Sequence, residues 1–212
     1  MHAGARPGAR GRVISESHRF VFVHIPRTRG TQVSKYLEPF GVALEGRRHA
    51  ASPYFKHARA VDIRRFLGDS FDEYFRFTIV RNPWDWVVSC FAFNRGLRHV
   101  GPTGVPQWAR DMSFDVWLPW WLESTKPSPL AFIDGPGGEL LVDHVYRFET
   151  VLQELPELLR RLGVPMREGV WLNPLLKSRR ASEGYRDYYD ARTRRLVERY
   201  FEGEIELFGY AF

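Results

Sequence analysis

Short apolar runs alternate with amphipathic stretches along the first half of the chain. From Arg19 to Ile25 the run Phe20-Val21-Phe22-Val23 has no polar interruption, which predicts a strand buried on both faces. Thr31 to Glu38 then reads as a helix, and so does Ala58 to Leu67. Phe75 to Val80 predicts a second buried strand, and Pro83 to Arg95 a helix that opens on proline. A stretch from Gly96 to Pro106 rich in Gly and Pro interrupts the pattern. Phe114, Trp117 and Trp121 recur at helical spacing despite Pro119. Leu130 to Ile133 and Leu140 to Phe148 flank the turn-rich Asp134-Gly135-Pro136-Gly137-Gly138. A helix from Val151 to Leu162 stops at Gly163, and a last one runs from Ala191 to Phe201. Strands separated by helices predict an α/β fold with a parallel sheet covered on both faces. No internal repeat and no second domain shows.

Composition narrows the picture. At 212 residues, with 44% hydrophobic and 15% aromatic residues, the chain is long and apolar enough for one globular domain with its own core. Residues 1–17 read as a flexible basic tail, and residues 18–212 as the domain. The first dozen residues lack an apolar stretch, so they are neither a signal peptide nor an anchor. No apolar run approaches the ~20 residues of a spanning helix. The single cysteine, Cys90, sits among Val87, Val88 and Phe91, where it reads as a small buried hydrophobe. One cysteine cannot form an intrachain disulfide, which suits a reducing, cytoplasmic setting. The net charge of +6 and the pI near 9.7 favour an anionic ligand. The basic residues are scattered, and no helix-turn-helix, zinc or RNA-recognition signature accompanies them, so nucleic acid is not expected as a partner.

The chemistry gathers where the first strand ends. His24-Ile25-Pro26-Arg27-Thr28-Arg29-Gly30-Thr31-Gln32 is a short loop feeding a helix at Val33-Ser34-Lys35. Strand, tight loop and helix start make an anion-binding arrangement, because the first N–H groups of a helix lack partners and its dipole favours negative charge. A nucleotide loop of the Walker A type needs G-x-x-x-x-G-K-[ST]. Here the first Gly is missing and Gly30 is followed by Thr31 and Gln32, so ATP with Mg²⁺ fits poorly.

The loop resembles the 5′-phosphosulfate loop of sulfotransferases, P-K-T-G-G-T after the first strand. Phe75-Arg76-Phe77-Thr78-Ile79-Val80-Arg81-Asn82-Pro83-Trp84-Asp85-Trp86-Val87-Val88-Ser89 resembles their 3′-phosphate segment, F-x-F-V-R-N-P-W-D-R-x-V-S. Lys56-His57-Ala58 through Gly68, Phe71 to Phe75, and several segments from Tyr146 to Tyr210 resemble the carbohydrate-type branch. The resemblance covers about Phe20 to the C-terminus. It implies a single P-loop-NTPase-like domain with a central parallel sheet flanked by helices, in a soluble, bacterial member without the anchor of Golgi relatives. The implied activity is transfer of a sulfuryl group from 3′-phosphoadenosine 5′-phosphosulfate to a hydroxyl of a glycan, glycolipid or small metabolite. Adenosine 3′,5′-bisphosphate is then the product, with no metal. An anionic glycan is among the candidate acceptors, and the oligomeric state is left open.

Residue by residue, the resemblance assigns the 5′-phosphosulfate to Arg27, Thr28, Gly30, Thr31 and Gln32. It assigns the 3′-phosphate to Arg81 and Ser89, and a closing segment over the donor to Ser178. Relatives carry Lys at position 27, so Arg27 can stabilise the leaving oxygen but not protonate it. Arg29 stands where relatives have Gly, and it is compatible only if φ there is negative. Trp86 replaces the usual Arg and reads as packing. His57 is the expected general base, with His49 in the preceding loop as the alternative. Glu149 is read as a helix cap. Of Trp108, Trp117, Trp120 and Trp121, two are assigned to packing and two are left as candidates to stack sugar rings. Two rival readings are a catalytically impaired nucleotide-binding homologue and an ATP-dependent P-loop kinase.

Overall fold

The computed structural model describes residues 14–41, 56–96, 107–166 and 184–212. His49 and Ser178 lie outside them. The chain divides into two compact units, Met1–Val80 with Leu130–Asn173 and Arg81–Pro129 with Pro174–Phe212. The second unit is inserted in the chain between two strands of the first and completed by the C-terminal segment, and helical periodicity alone does not reveal such a division.

The first unit holds a four-stranded sheet in the order β1-β2-β3-β4. It is built from β1 (Ile14–Ser15), β2 (Phe20–Val23), β3 (Phe75–Val80) and β4 (His144–Arg147). β2, β3 and β4 pair in parallel, Phe22 opposite Phe77 and Ile79 opposite Tyr146. β1 pairs antiparallel with β2, so the sheet is mixed rather than wholly parallel. Ile14 and Ser15, assigned to the tail by the sequence reading, are therefore buried sheet residues. All four residues of β2 are buried, as a run without polar alternation requires.

Helices α1 (Gly30–Leu37), α2 (Ala60–Leu67) and α5 (Val151–Arg161) belong to this unit. Val33, Tyr36 and Leu37 of α1 meet Leu155, Leu158 and Leu159 of α5 in one core with Phe20, Phe22, Phe77 and Ile79. The Tyr36 hydroxyl donates to the Pro165 carbonyl at 3.0 Å. α5 ends as expected at Gly163 (φ 63), whose N–H reaches the Arg160 carbonyl while that of Val164 reaches the Leu159 carbonyl. Its start differs from expectation. Thr150 is the N-cap residue, and its hydroxyl donates to the Glu154 carboxylate at 2.5 Å, so Glu149 is not the cap.

The second unit is helical, with α3 (Pro83–Gly96), α4 (Phe114–Thr125), α6 (Ala191–Tyr200) and α7 (Glu202–Phe208). Its core is aromatic: Trp84, Trp86, Phe91, Trp117, Trp121 and Phe201 are all buried there, with Cys90 beside them. Trp117 and Trp121, one turn apart on α4, stack at 4.7 Å. Pro119 removes the N–H that would bond the Asp115 carbonyl, and Arg192 donates to that carbonyl instead, at 3.3 Å. Asp190 and Thr193 form a reciprocal capping box at the start of α6. Among the described residues no helix is long and apolar enough to cross a membrane.

Candidate functional site

The first unit concentrates polar chemistry at the carboxyl end of β2, where ligands of open α/β sheets bind. Beyond Val23 the chain turns through His24–Arg29 into α1. Thr28, expected in the anion cradle, is buried, and its hydroxyl donates to the Ile25 carbonyl at 2.8 Å, which braces the loop from within. Gln32 and Val33 spend their N–H groups on the Arg29 carbonyl. Gly30 and Thr31, the first two residues of α1, precede the point where intrahelical bonding begins.

Cations gather here. Lys56 lies 25 positions away in sequence, yet its ammonium donates to the Thr31 hydroxyl at 2.7 Å. Burial, followed by the charges of Lys35 and Arg27, holds the Lys56 amine below its ordinary range. A cation whose charge is disfavoured by two neighbouring cations is an arrangement that an anion relieves. Lys56 had no role assigned from the sequence. It was legible only as part of the Lys56-His57-Ala58 run, because its partner Thr31 is remote in the chain.

His57 stands beside this cluster. Its Nδ1 lies 2.9 Å from the His24 carbonyl oxygen, which can only accept, so Nδ1 carries the hydrogen. In the neutral ring Nε2 is then the basic nitrogen. Burial lowers the His57 imidazole below its ordinary value, the Lys56 charge adds to this, and the bond to the His24 carbonyl opposes both.

His24 was not singled out from the sequence. It is 1% exposed, stacks on Phe22 at 5.6 Å and meets the His57 ring at 4.5 Å. Its ring covers Gly30: a Cβ built there would fall 1.9 Å from His24 Cδ2 and 2.2 Å from Nε2. Glycine at position 30 is therefore a steric requirement. The signal available in the sequence was a histidine ending an apolar run and followed six positions later by the loop's one glycine.

Burial, then the neighbouring His57 and Lys56, push the His24 imidazole down to about 2. The unfolded chain takes up a proton on this ring below 6.5 whereas the native chain stays neutral down to about 2. The stability linked to His24 is thus whole above pH 6.5 and is lost as the pH falls toward 2, by up to about 1.4 kcal/mol per pH unit. Urea unfolding at pH 7 and pH 5 should show this loss in the parent and a smaller one in His24→Leu.

Arg29 departs from the compatibility condition set by its sequence. It sits in the left-handed region at φ 66, ψ 2, as the N-cap residue of α1. Arg27 shares φ 66. The Arg29 guanidinium lies 4.3 Å from the centre of the Phe148 ring, just beyond β4, so it ties the loop to the β4–α5 turn. Arg29→Ala keeps the strained backbone without the ring contact, whereas Arg29→Gly relieves the strain. The glycine variant should be the more stable of the two by about 1 kcal/mol in chemical unfolding.

The residues expected around the 3′-phosphate lie in the second unit. Arg81 Nε and Nη2 both donate to Asp85, each at 2.7 Å, so one edge of the guanidinium already grips a carboxylate. Asn82 caps α3 through a 3.1 Å bond from the Trp84 N–H to its Oδ1, and Pro83 opens the helix. Trp84 and Trp86 fill the core, Trp86 against Trp121 and Phe201. The Arg-Asn-Pro-Trp-Asp run thus has a structural account in each of its residues. Ser89 lies on α3, half-buried. Of the four tryptophans considered for sugar stacking, Trp117 and Trp121 are core, while Trp108 is 54% exposed and meets Trp120 at 5.1 Å. Among the described residues no group of three or more His, Cys, Asp or Glu side chains is placed to hold a metal ion.

Within the first unit the start of α1 thus carries the Lys56–Thr31 contact, with the His57 imidazole beside it. Comparison with models of protein families, with curated proteins and with solved structures found no match.

Proposed function

We propose that the protein is a sulfotransferase, which moves a sulfuryl group from 3′-phosphoadenosine 5′-phosphosulfate to a hydroxyl of a glycan, glycolipid or small metabolite. The observation that carries the reading is the Lys56 ammonium donating to Thr31 at the start of α1, within the field of Arg27 and Lys35, with His57 held beside it. Such a cluster suits the charged phosphosulfate end of the donor. In the reaction the His57 Nε2 accepts the hydroxyl proton, and the acceptor oxygen bonds to sulfur. The bond from sulfur to the bridging oxygen breaks, and its electron pair stays on the phosphate. Arg27 and Lys56 stabilise that charge. The sequence resemblance implies a 3′-phosphate role for Arg81 and Ser89. For Arg81 this entails sharing a guanidinium that also pairs with Asp85.

Binding of adenosine 3′,5′-bisphosphate should raise the melting temperature, with ATP and Mg²⁺ doing much less. Arg81→Ala should remove most of that shift. Equal stabilisation by ATP would replace this reading with the kinase one. Tight bisphosphate binding without transfer to any acceptor would instead make the protein a nucleotide-binding homologue that has lost catalysis.

A further inference from the structure

The His24 side chain presents an anomaly that neither the fold nor the proposed proton transfer accounts for. It is a polar ring, 1% exposed, at the end of a hydrophobic strand. Its Nδ1 has no hydrogen-bond partner among the described residues. Phe22 stacks on one face, His57 approaches at 4.5 Å, and the Cδ2–Nε2 edge covers the spot where a side chain on Gly30 would begin. That edge therefore looks onto the first residue of α1, the place where the Thr31 hydroxyl and the Lys56 ammonium also meet. A leucine of similar size would fill the space without leaving a buried polar atom unpaired.

We infer that His24 is an anion-contacting residue of this loop, a neutral imidazole whose Nε2–H donates to an oxyanion bound at the start of α1. The inference rests on the reading of the loop given above and adds to it a donor that carries no charge. An oxyanion offers only acceptors, so Nε2 must hold the hydrogen. That leaves Nδ1 as a bare lone pair, and a buried unpaired acceptor is better tolerated than a buried unpaired N–H. The tautomer is thus the reverse of that in His57, whose hydrogen sits on Nδ1. Two adjacent imidazoles then divide the work: His57 presents an acceptor nitrogen to the incoming hydroxyl, and His24 presents a donor to the phosphosulfate. A neutral donor does not compete with Arg27, Lys35 and Lys56 through charge repulsion, which the cationic cluster makes a real cost. Gly30 completes the arrangement, because any larger residue would displace the ring from the loop.

The test uses the whole chain, with adenosine 3′,5′-bisphosphate as probe. Glutamine places an amide N–H near the position of Nε2 and leucine places none. His24→Leu should bind the bisphosphate about tenfold or more weakly than the parent by calorimetry, and His24→Gln should recover much of the loss. In parent protein with ¹⁵N-labelled imidazoles, His24 should be neutral with its hydrogen on Nε2, and that nitrogen should shift as the bisphosphate saturates the site. A purely structural ring would not show that shift. Should either variant fail to fold, the spectrum of the parent decides. A hydrogen found on Nδ1, or an Nε2 resonance unmoved by a bisphosphate that does bind, overturns the role of His24 and leaves the loop reading intact. Equal affinity in His24→Leu does the same. Failure of the parent to bind the bisphosphate overturns both.

Discussion

Replacement of His57 by alanine is expected to slow sulfuryl transfer by about 10²–10⁴-fold, the usual loss when a general base is removed. Affinity for adenosine 3′,5′-bisphosphate should stay near that of the parent, because the base faces the acceptor rather than the phosphates. The structure supplies a sharper variant. Asparagine at position 57 can still donate to the His24 carbonyl, which His57 Nδ1 reaches at 2.9 Å, but it has nothing in place of the basic Nε2. His57→Asn should therefore fold like the parent, bind product like the parent and lose transfer like His57→Ala. Because the His57 imidazole is held below the ordinary value of 6.5, it remains a neutral base to lower pH. The acid limb of the rate profile should accordingly lie below pH 6.5. His49→Ala should keep most activity. A silent His49→Ala beside an active His57→Ala would transfer the base role to His49.

The second large effect belongs to Gly30. Adding one methyl group there is expected to lower stability by about 1–3 kcal/mol and to weaken bisphosphate binding together with it. The cause is steric rather than conformational: the added carbon would lie 1.9 Å from the His24 ring, and that ring is wedged between Phe22 and His57. A double-mutant cycle isolates the contact. Gly30→Ala introduced into a His24→Ala background should cost far less than in the parent, since the obstructing ring is gone. Additive losses in the cycle would show that Gly30 is needed for some reason other than His24.

Much of the first unit was legible because its signals are local. Phe75–Val80 is a strand with the bounds its apolar run predicts, α1 and α2 begin within two residues of expectation, and Gly163 closes α5 as read. The fates of Trp86 and Cys90 also follow from their apolar neighbours. What escaped was set by distant pairing. Ile14–Ser15 is too short to show period-two alternation, and it becomes a strand only by pairing with Phe20 and Val21. The site followed the same rule. The loop could be found from its own residues, but Lys56 and His24 acquire their meaning from Thr31 and Gly30. Arg81 was readable as a cation after a strand, whereas its grip on Asp85 depends on the first turn of α3. Arg29 shows the opposite case, in which sequence posed the right question about backbone sign and only the fold answered it with a positive φ.

The two residues of β1 have a consequence for how the chain keeps to itself. β1 is the outermost strand on its side of the sheet, and it covers the flank of β2 at Phe20 and Val21. A version of the protein begun at residue 18 would lack that cover. The backbone donors and acceptors of Phe20 and Val21 that face β1 would then lie open on an apolar, β-branched and aromatic strand, a template for strand addition by another molecule. Such a shortened chain should associate and precipitate at concentrations where one that retains Ile14 and Ser15 stays dispersed.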